Sequence, residues 1–140
     1  ADNSIDHIHA NSLVPHIPDL NQAMEELSRV LSPGGTLVLR ATHAHSTGIV
    51  ADPDHSNWSW TSETPKWYDN NSSFSYYSDT SLELVDVRVR GWARPERPWI
   101  RPFGWAFKQL IKHVSPEVAD ELIGLPFAGG RVKATWRATA

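Results

Sequence analysis

Apolar positions along the chain follow two different periods. Leu20, Ala23, Met24, Leu27, Val30 and Leu31 recur at helical spacing, which predicts an amphipathic helix with one face on a sheet. Asp19 precedes it as an N-cap, with Gln22 three residues on completing a capping box. Pro33-Gly34-Gly35 stops it, and TLVLRAT (36–42) follows as a short, mostly apolar run of the kind found in a buried parallel strand. Upstream, SIDHIHANSL (4–13) reads as a strand over 4–10 running into a loop. The other period is two. LELVDVRVRGW (82–92) sets Leu82, Leu84, Val85, Val87 and Val89 against Glu83, Asp86, Arg88 and Arg90, a cleanly alternating, half-buried strand. GRVKATWRATA (130–140) sets Val132, Ala134 and Trp136 against Arg131, Lys133 and Arg137 and reads as the final strand.

Between these runs the pattern is less regular. Residues 43–81 are polar, aromatic and loop-like, with a short helix starting near Ser62, since Pro65 is tolerated in a first turn. The proline-rich stretch 93–105 reads as a rigid extended segment, and FKQLIKHV continues as an amphipathic helix. Ser115-Pro116-Glu117 starts a further helix, with serine as N-cap and proline at the first position, and Gly124 stops it. The order is β-α-β-(loop, short α)-β-α-α-β over a single domain, 1–140. The fold class is α/β: a small sheet of about four strands with flanking helices. Its first two strands are expected to be parallel, because a helix crosses between them.

Composition narrows the function classes. The 13 Lys and Arg are outweighed by 16 Asp and Glu, for a net charge of −3 and a pI near 6.1. A nucleic-acid partner, which calls for a basic excess, is therefore not expected. The longest apolar runs fall far short of the roughly 18 residues that span a membrane. With no cysteine, disulfides, thiolate metal sites and cysteine nucleophiles are excluded together. A polar start without a signal peptide makes a cytoplasmic location the expectation. Six of the seven tryptophans lie between Trp58 and Trp105, more than a core of this size needs, so some are expected at a cleft or an interface.

ADNSIDHIHANSLVPHIPD followed by AMEELSRVLSPGGTLVL resembles the second half of a class I S-adenosylmethionine-dependent methyltransferase (the type 11-like domain). There a strand near an aspartate leads to a histidine-containing loop, and a helix ending in RVL-x-PGG leads to the next strand. DPDHSNWSWTSET resembles the same family's substrate-side cap. The resemblance covers residues 2 to about 64 well and the rest by order of elements, and it implies a partial Rossmann-like methyltransferase sheet whose last strand runs antiparallel. It implies S-adenosylmethionine as cofactor if the chain is active, Asn11 and Ser12 beside it, and His16, His55 and Trp58 toward a small-molecule acceptor. His16 is then the candidate catalytic group. Ser12 stands where a histidine is frequent and Pro15 where a glutamate is frequent; His16 keeps the pattern. The family's glycine-rich cofactor loop has no counterpart, since Gly34-Gly35 ends a helix and Gly129-Gly130 precedes the last strand. A chain of this kind is expected to be inactive alone and to need a partner chain or a second copy for the missing half. The strand at 4–10 would then be an exposed edge, which sheets avoid. The alternative is a non-catalytic association module that dimerises through that edge.

Other side chains carry two readings each. In an open α/β sheet ligands bind beyond the carboxyl ends of the strands, here Asn11–His16 and Thr42–Ser46. His16 either orients an acceptor there or packs on the helix start. His7-x-His9 and His43-x-His45 place imidazole pairs of a kind that suits zinc or copper, yet Asp6 faces away, and hydrogen-bonded or solvated histidines with no metal is the reading taken. His55, with Asp52, Asp54 and Trp58, is a substrate cap or a surface turn. Trp58, Trp60, Trp67, Tyr68, Tyr76 and Tyr77 form an acceptor pocket or, more simply, a packed lid or interface. The arginines at 88, 90, 94, 97 and 101 grip an anion or make a solvated face.

Overall fold

The computed structural model describes residues 1–46, 49, 58–93, 101–124 and 128–139. Four strands, β1 (Ile5–Asn11), β2 (Leu31–Thr42), β3 (Leu82–Ala93) and β4 (Ala128–Ala138), form one sheet in the order β1-β2-β4-β3. β1 and β2 are parallel, and β4 runs antiparallel to both β2 and β3. The helices are α1 (Leu20–Val30), α2 (Arg101–His113) and α3 (Pro116–Ile123). Element order and the parallel first pair are as the sequence pattern predicts, and the antiparallel last strand is as the family resemblance implies.

Local chemistry explains the helix ends. Asp19 Oδ1 accepts from the Gln22 backbone N–H at 3.0 Å and caps α1. Ser115 does the same for α3 through the Val118 N–H, with Pro116 at the first position and Gly124 at its end. α1 buries Leu20 and Met24 completely, worth roughly 1.5–3 kcal/mol per side chain. The short helix expected near Ser62 is a 3-10 turn over Thr64–Tyr68 with Pro65 at its start.

Three expectations are corrected. β2 begins at Leu31, not at Thr36, because Pro33-Gly34-Gly35 does more than stop a helix. Ile5 pairs with Leu31 and His7 with Thr36, so two steps on β1 face five on β2 and the intervening residues loop out. Gly34 takes φ 81°, the left-handed conformation that glycine adopts without a steric cost. The alternation on β3 is not clean either. Leu82 and Leu84 share one parity, Val87 and Val89 the other, and only an extra residue can put all four on one face. Val85 is that residue: Leu84 pairs with Trp136 and Asp86 with Thr135, a β-bulge. Finally, Arg101–Trp105 form the opening turns of α2 and are not extended.

The apolar interior lies on one face of the sheet. Leu37, Leu39 and Ala41 of β2 and Val132, Ala134 and Trp136 of β4 pack with Leu20 and Met24 of α1 and with Trp60 and Tyr68. A second cluster joins Val89 to Phe107 and Ile111 of α2 and Ala119 and Ile123 of α3. Val89 pairs directly with Val132, and directly opposed residues share a face, so both clusters lie on the same side. The opposite face carries Arg40, Lys133 and Arg88 in one cross-strand row and Arg131 and Arg90 in the next. β1 and β3 are the two edges.

Candidate functional site

The carboxyl ends of β1 and β2 lie side by side, with Asn11 opposite Arg40. Beyond β1 the chain turns sharply at Ser12, which has φ 58°, and its N–H still reaches the Arg40 carbonyl at 2.9 Å. A left-handed backbone at a non-glycine residue costs energy and is held here by that bond. A 3-10 turn over Val14–His16 follows, burying Val14 and Pro15 and leaving His16 exposed at the mouth of the sheet.

The chain beyond β2 returns over this mouth. Trp58 Nε1 donates to the Ile17 carbonyl at 2.8 Å, fastening the aromatic segment to the loop that carries His16. Asn11, Ser12, His16 and Trp58 are thus brought to one end of the sheet, while His55 lies outside the described residues. Trp58→Phe keeps the ring and removes the bond; about 0.5–1.5 kcal/mol of stability is the expected loss, measurable by urea denaturation.

Behind the mouth sits a buried polar network. His43, fully buried just past β2, places Nε2 2.8 Å from Asp120 Oδ1. Asp120 Oδ2 accepts twice from Ser62, from N–H at 2.8 Å and from Oγ at 2.7 Å. The His45 backbone N–H donates to His43 Nδ1 at 3.1 Å. A backbone N–H can only donate, so Nδ1 is the bare nitrogen and Nε2 carries the proton. His43 is therefore a neutral imidazole. Burial pushes its pKa down from the ordinary 6.5, and the Asp120 carboxylate opposes that only in part.

Serine, aspartate and histidine in contact suggest nucleophilic catalysis, and the geometry denies it. A triad needs the hydroxyl on the imidazole and the carboxylate behind it; here Ser62 and His43 both donate to the carboxylate. The network is a clamp that fixes the loop after β2, and Ser62 beyond it, to α3. α3 comes close enough because Gly130 has no side chain: a Cβ there would lie 2.5 Å from Ile123 Cδ1.

The histidine pairs do not meet. His7 and His9 sit opposite Thr36 and Val38, well before the end of β2 where His43 lies, and no group of three potential ligands gathers among the described residues. Trp60 and Tyr68 are core residues, Trp60 edge-to-face on Trp136 with ring centres 6.0 Å apart. Tyr68 donates to Asn21 Oδ1 at 2.9 Å, and burial pushes its hydroxyl up to about 12. Trp67, Phe74, Tyr76 and Tyr77 stack on one another at the surface. No described helix is long and apolar enough to cross a membrane. Neither Asp120 nor the polar role of Ser62 follows from the sequence pattern. The only sign of Asp120 was a carboxylate flanking the apolar positions Ala119 and Ile123 of α3.

A family model described as "Methyltransferase domain" matches residues 1–39, from β1 through α1 into β2. The solved structure of YcgJ from Bacillus subtilis superposes over 99% of this chain with TM-score 0.56 at 19% identity, and the chain spans 66% of it. This is the fold of the C-terminal part of a class I methyltransferase. Phosphoethanolamine N-methyltransferase 2 from Haemonchus contortus, solved with phosphomonomethylethanolamine and S-adenosylhomocysteine, matches this methyltransferase fold over 100% of the chain. Its TM-score is 0.55 at 13% identity, over 34% of its own length. The [4+2]-cyclase SpnF matches over 99% with TM-score 0.54 at 17% identity, over 51% of its length. This chain thus spans about a third to two thirds of these structures. No match was found among curated proteins.

Asn11, Ser12 and the exposed His16 put polar groups at this end of the sheet. Gly34-Gly35 and Gly130, which could have formed a phosphate- or carboxylate-binding loop, are committed to the β1–β2 register and to Ile123.

Proposed function

We propose that this chain supplies the acceptor side of an S-adenosylmethionine-dependent methyl-transfer site for a small molecule. In this reading the cofactor's main cradle comes from a partner chain, or from a second copy, alongside the open β1 edge. The observation behind it is the fastening of Trp58 to Ile17 across the ends of the parallel strands. That bond sets Trp58 beside the strand ends, where ligands of such sheets bind. Methyl transfer is an in-line displacement from a sulfonium, so the protein's share is positioning and removal of the acceptor's proton. Asn11 and Ser12 would line the cofactor, Trp58 the acceptor, and His16 would orient the acceptor or take its proton.

A second reading has one observation in its favour. Solved structures of this fold include a [4+2]-cyclase as well as methyltransferases, so the fold alone does not dictate the reaction. A non-catalytic module that associates through β1 would use the same edge. Titration of the chain with S-adenosylhomocysteine, alongside sizing, separates the two. Saturable binding that tracks dimer formation and is lost in Ser12→Trp is the result expected for the methyl-transfer site. A folded dimer that binds nothing at millimolar ligand refutes that reading and leaves the association module.

A further inference from the structure

The second edge of the sheet has features of its own. Among the described residues β3 pairs only with β4, and the Asp69–Asn70 loop meets its outer side at Leu82 and Leu84, so beyond these alternate N–H and C=O groups have no strand to meet. Beside that edge opens a cleft of about 610 Å³, lined by five successive β3 residues, 87 to 91, and by residues of α2 and α3. Its floor is apolar, with Val89, Ile111 and Ala119 buried. Its rim is cationic on both faces of the sheet: Arg88 and Arg90 stand on the face opposite the floor, and Lys108 and Lys112, one helical turn apart on α2, on the floor's side. Arg88 is bonded to Asp86 at 2.8 Å, and among the described residues no acidic side chain lines the cleft itself. The chain as a whole carries net charge −3, so this rim is a local inversion of its charge.

We propose that the outer edge of β3 and this cleft receive an extended acidic peptide segment, added to the sheet as a fifth strand. Strand addition supplies affinity through the backbone and specificity through alternate side chains. Five residues of edge at roughly 3.4 Å each suit a segment of similar length. A strand laid there turns alternate side chains toward Arg88 and Arg90 and toward the apolar floor. The pattern it selects is therefore acidic and β-branched residues in alternation. A bare anion would use the cations and leave both the floor and the unpaired backbone unused. This site is separate from the strand-end mouth and does not depend on the function proposed there.

The test is fluorescence anisotropy with three labelled probes: acetyl-(Glu-Val)3-amide, acetyl-(Glu-Pro)3-amide and acetyl-(Lys-Val)3-amide. The first is expected to bind. The second keeps the charge but lacks half the N–H donors and should bind at least about tenfold more weakly. The third should bind only when charge is reversed in the double variant Arg88→Glu, Arg90→Glu, which should lose the first probe by a similar factor. Circular dichroism and sizing confirm that the variant is folded and monodisperse. Equal binding of the Glu-Val and Glu-Pro probes would overturn strand addition. Absence of Glu-Val binding at millimolar probe, with self-association of the double variant, would show that the cations only guard the edge against other strands.

Discussion

Replacing Asp120 with alanine is expected to lower the stability of the fold by about 3 kcal/mol, read as a shift of the urea midpoint at pH 7.5. Three donors converge on its carboxylate: His43 Nε2–H, Ser62 N–H and Ser62 Oγ–H. The His43 side chain is fully buried and that of Asp120 is 14% exposed. Each buried donor left without an acceptor costs roughly 1–3 kcal/mol, less whatever a water entering beside Asp120 restores. Asparagine should rescue little. Both carboxylate oxygens act as acceptors, so whichever way the amide turns, its NH2 faces either the His43 N–H or the two Ser62 donors. The expected loss for Asp120→Asn is about 2 kcal/mol, and a loss under about 0.5 kcal/mol for both variants would refute the assigned proton positions.

The same network gives stability a pH dependence of definite sign. Burial holds His43 neutral with its pKa below 6.5, and a proton on Nδ1 would also set a second donor against the His45 N–H. Between that lowered pKa and 6.5 the unfolded chain binds more protons than the folded one, so stability falls as the pH drops through this window. Above about pH 7 the contribution is complete and flat. Glu26 and Glu117, whose pKa values are lowered below 4.5 by their Arg29 bond and by hydrogen bonds at the start of α3 respectively, act only in a more acidic window. A His43→Gln variant should lose the upper step and keep the lower one.

How much of this was legible depends on whether the cause is local. Asp19 capping Gln22 and Ser115 capping Val118 are three-residue events, and the sequence shows both outright. The parity change between Leu84 and Val87 was also legible: two apolar pairs two residues apart, offset by one, require a bulge if one face is to be buried. Each half alternates well separately, which hides the offset. The edge at β1 followed from the family resemblance, in which that strand's other neighbour belongs to the half these residues do not match. The clamp of His43, Ser62 and Asp120 did not, because its carboxylate lies 77 residues from the imidazole and their meeting depends on how closely α3 seats on β4. Composition failed in a different way. A net charge of −3 averages over all sides of the molecule, whereas the β3 rim concentrates cations that the strand pattern placed together only once the register was known.

The Pro-Gly-Gly turn between α1 and β2 supplies the second large effect, and its two glycines should behave unlike each other. Gly34 has the left-handed backbone, φ 81°, but a Cβ there would meet nothing within 4 Å. Gly34→Ala therefore pays only for the conformation, about 1 kcal/mol. Gly35 has no such backbone and looks the more replaceable. Yet its Cβ would lie 2.8 Å from the Ser32 carbonyl oxygen and 3.2 Å from those of Ile5 and Asp6. All three are backbone atoms, two of them on β1, so no side-chain rotation relieves the contact. β1 would have to move away from β2 at the point where their register jumps from Ile5–Leu31 to His7–Thr36. A loss of about 2–4 kcal/mol is expected for Gly35→Ala, in the range of overpacking that shifts backbone. The reverse order, with Gly34 the costlier position, would show that the turn relaxes without disturbing the strand pair. If instead Gly35→Ala is the costlier, hydrogen exchange should show β1 amides losing protection before those of β4, because β1 is an edge held by β2 alone.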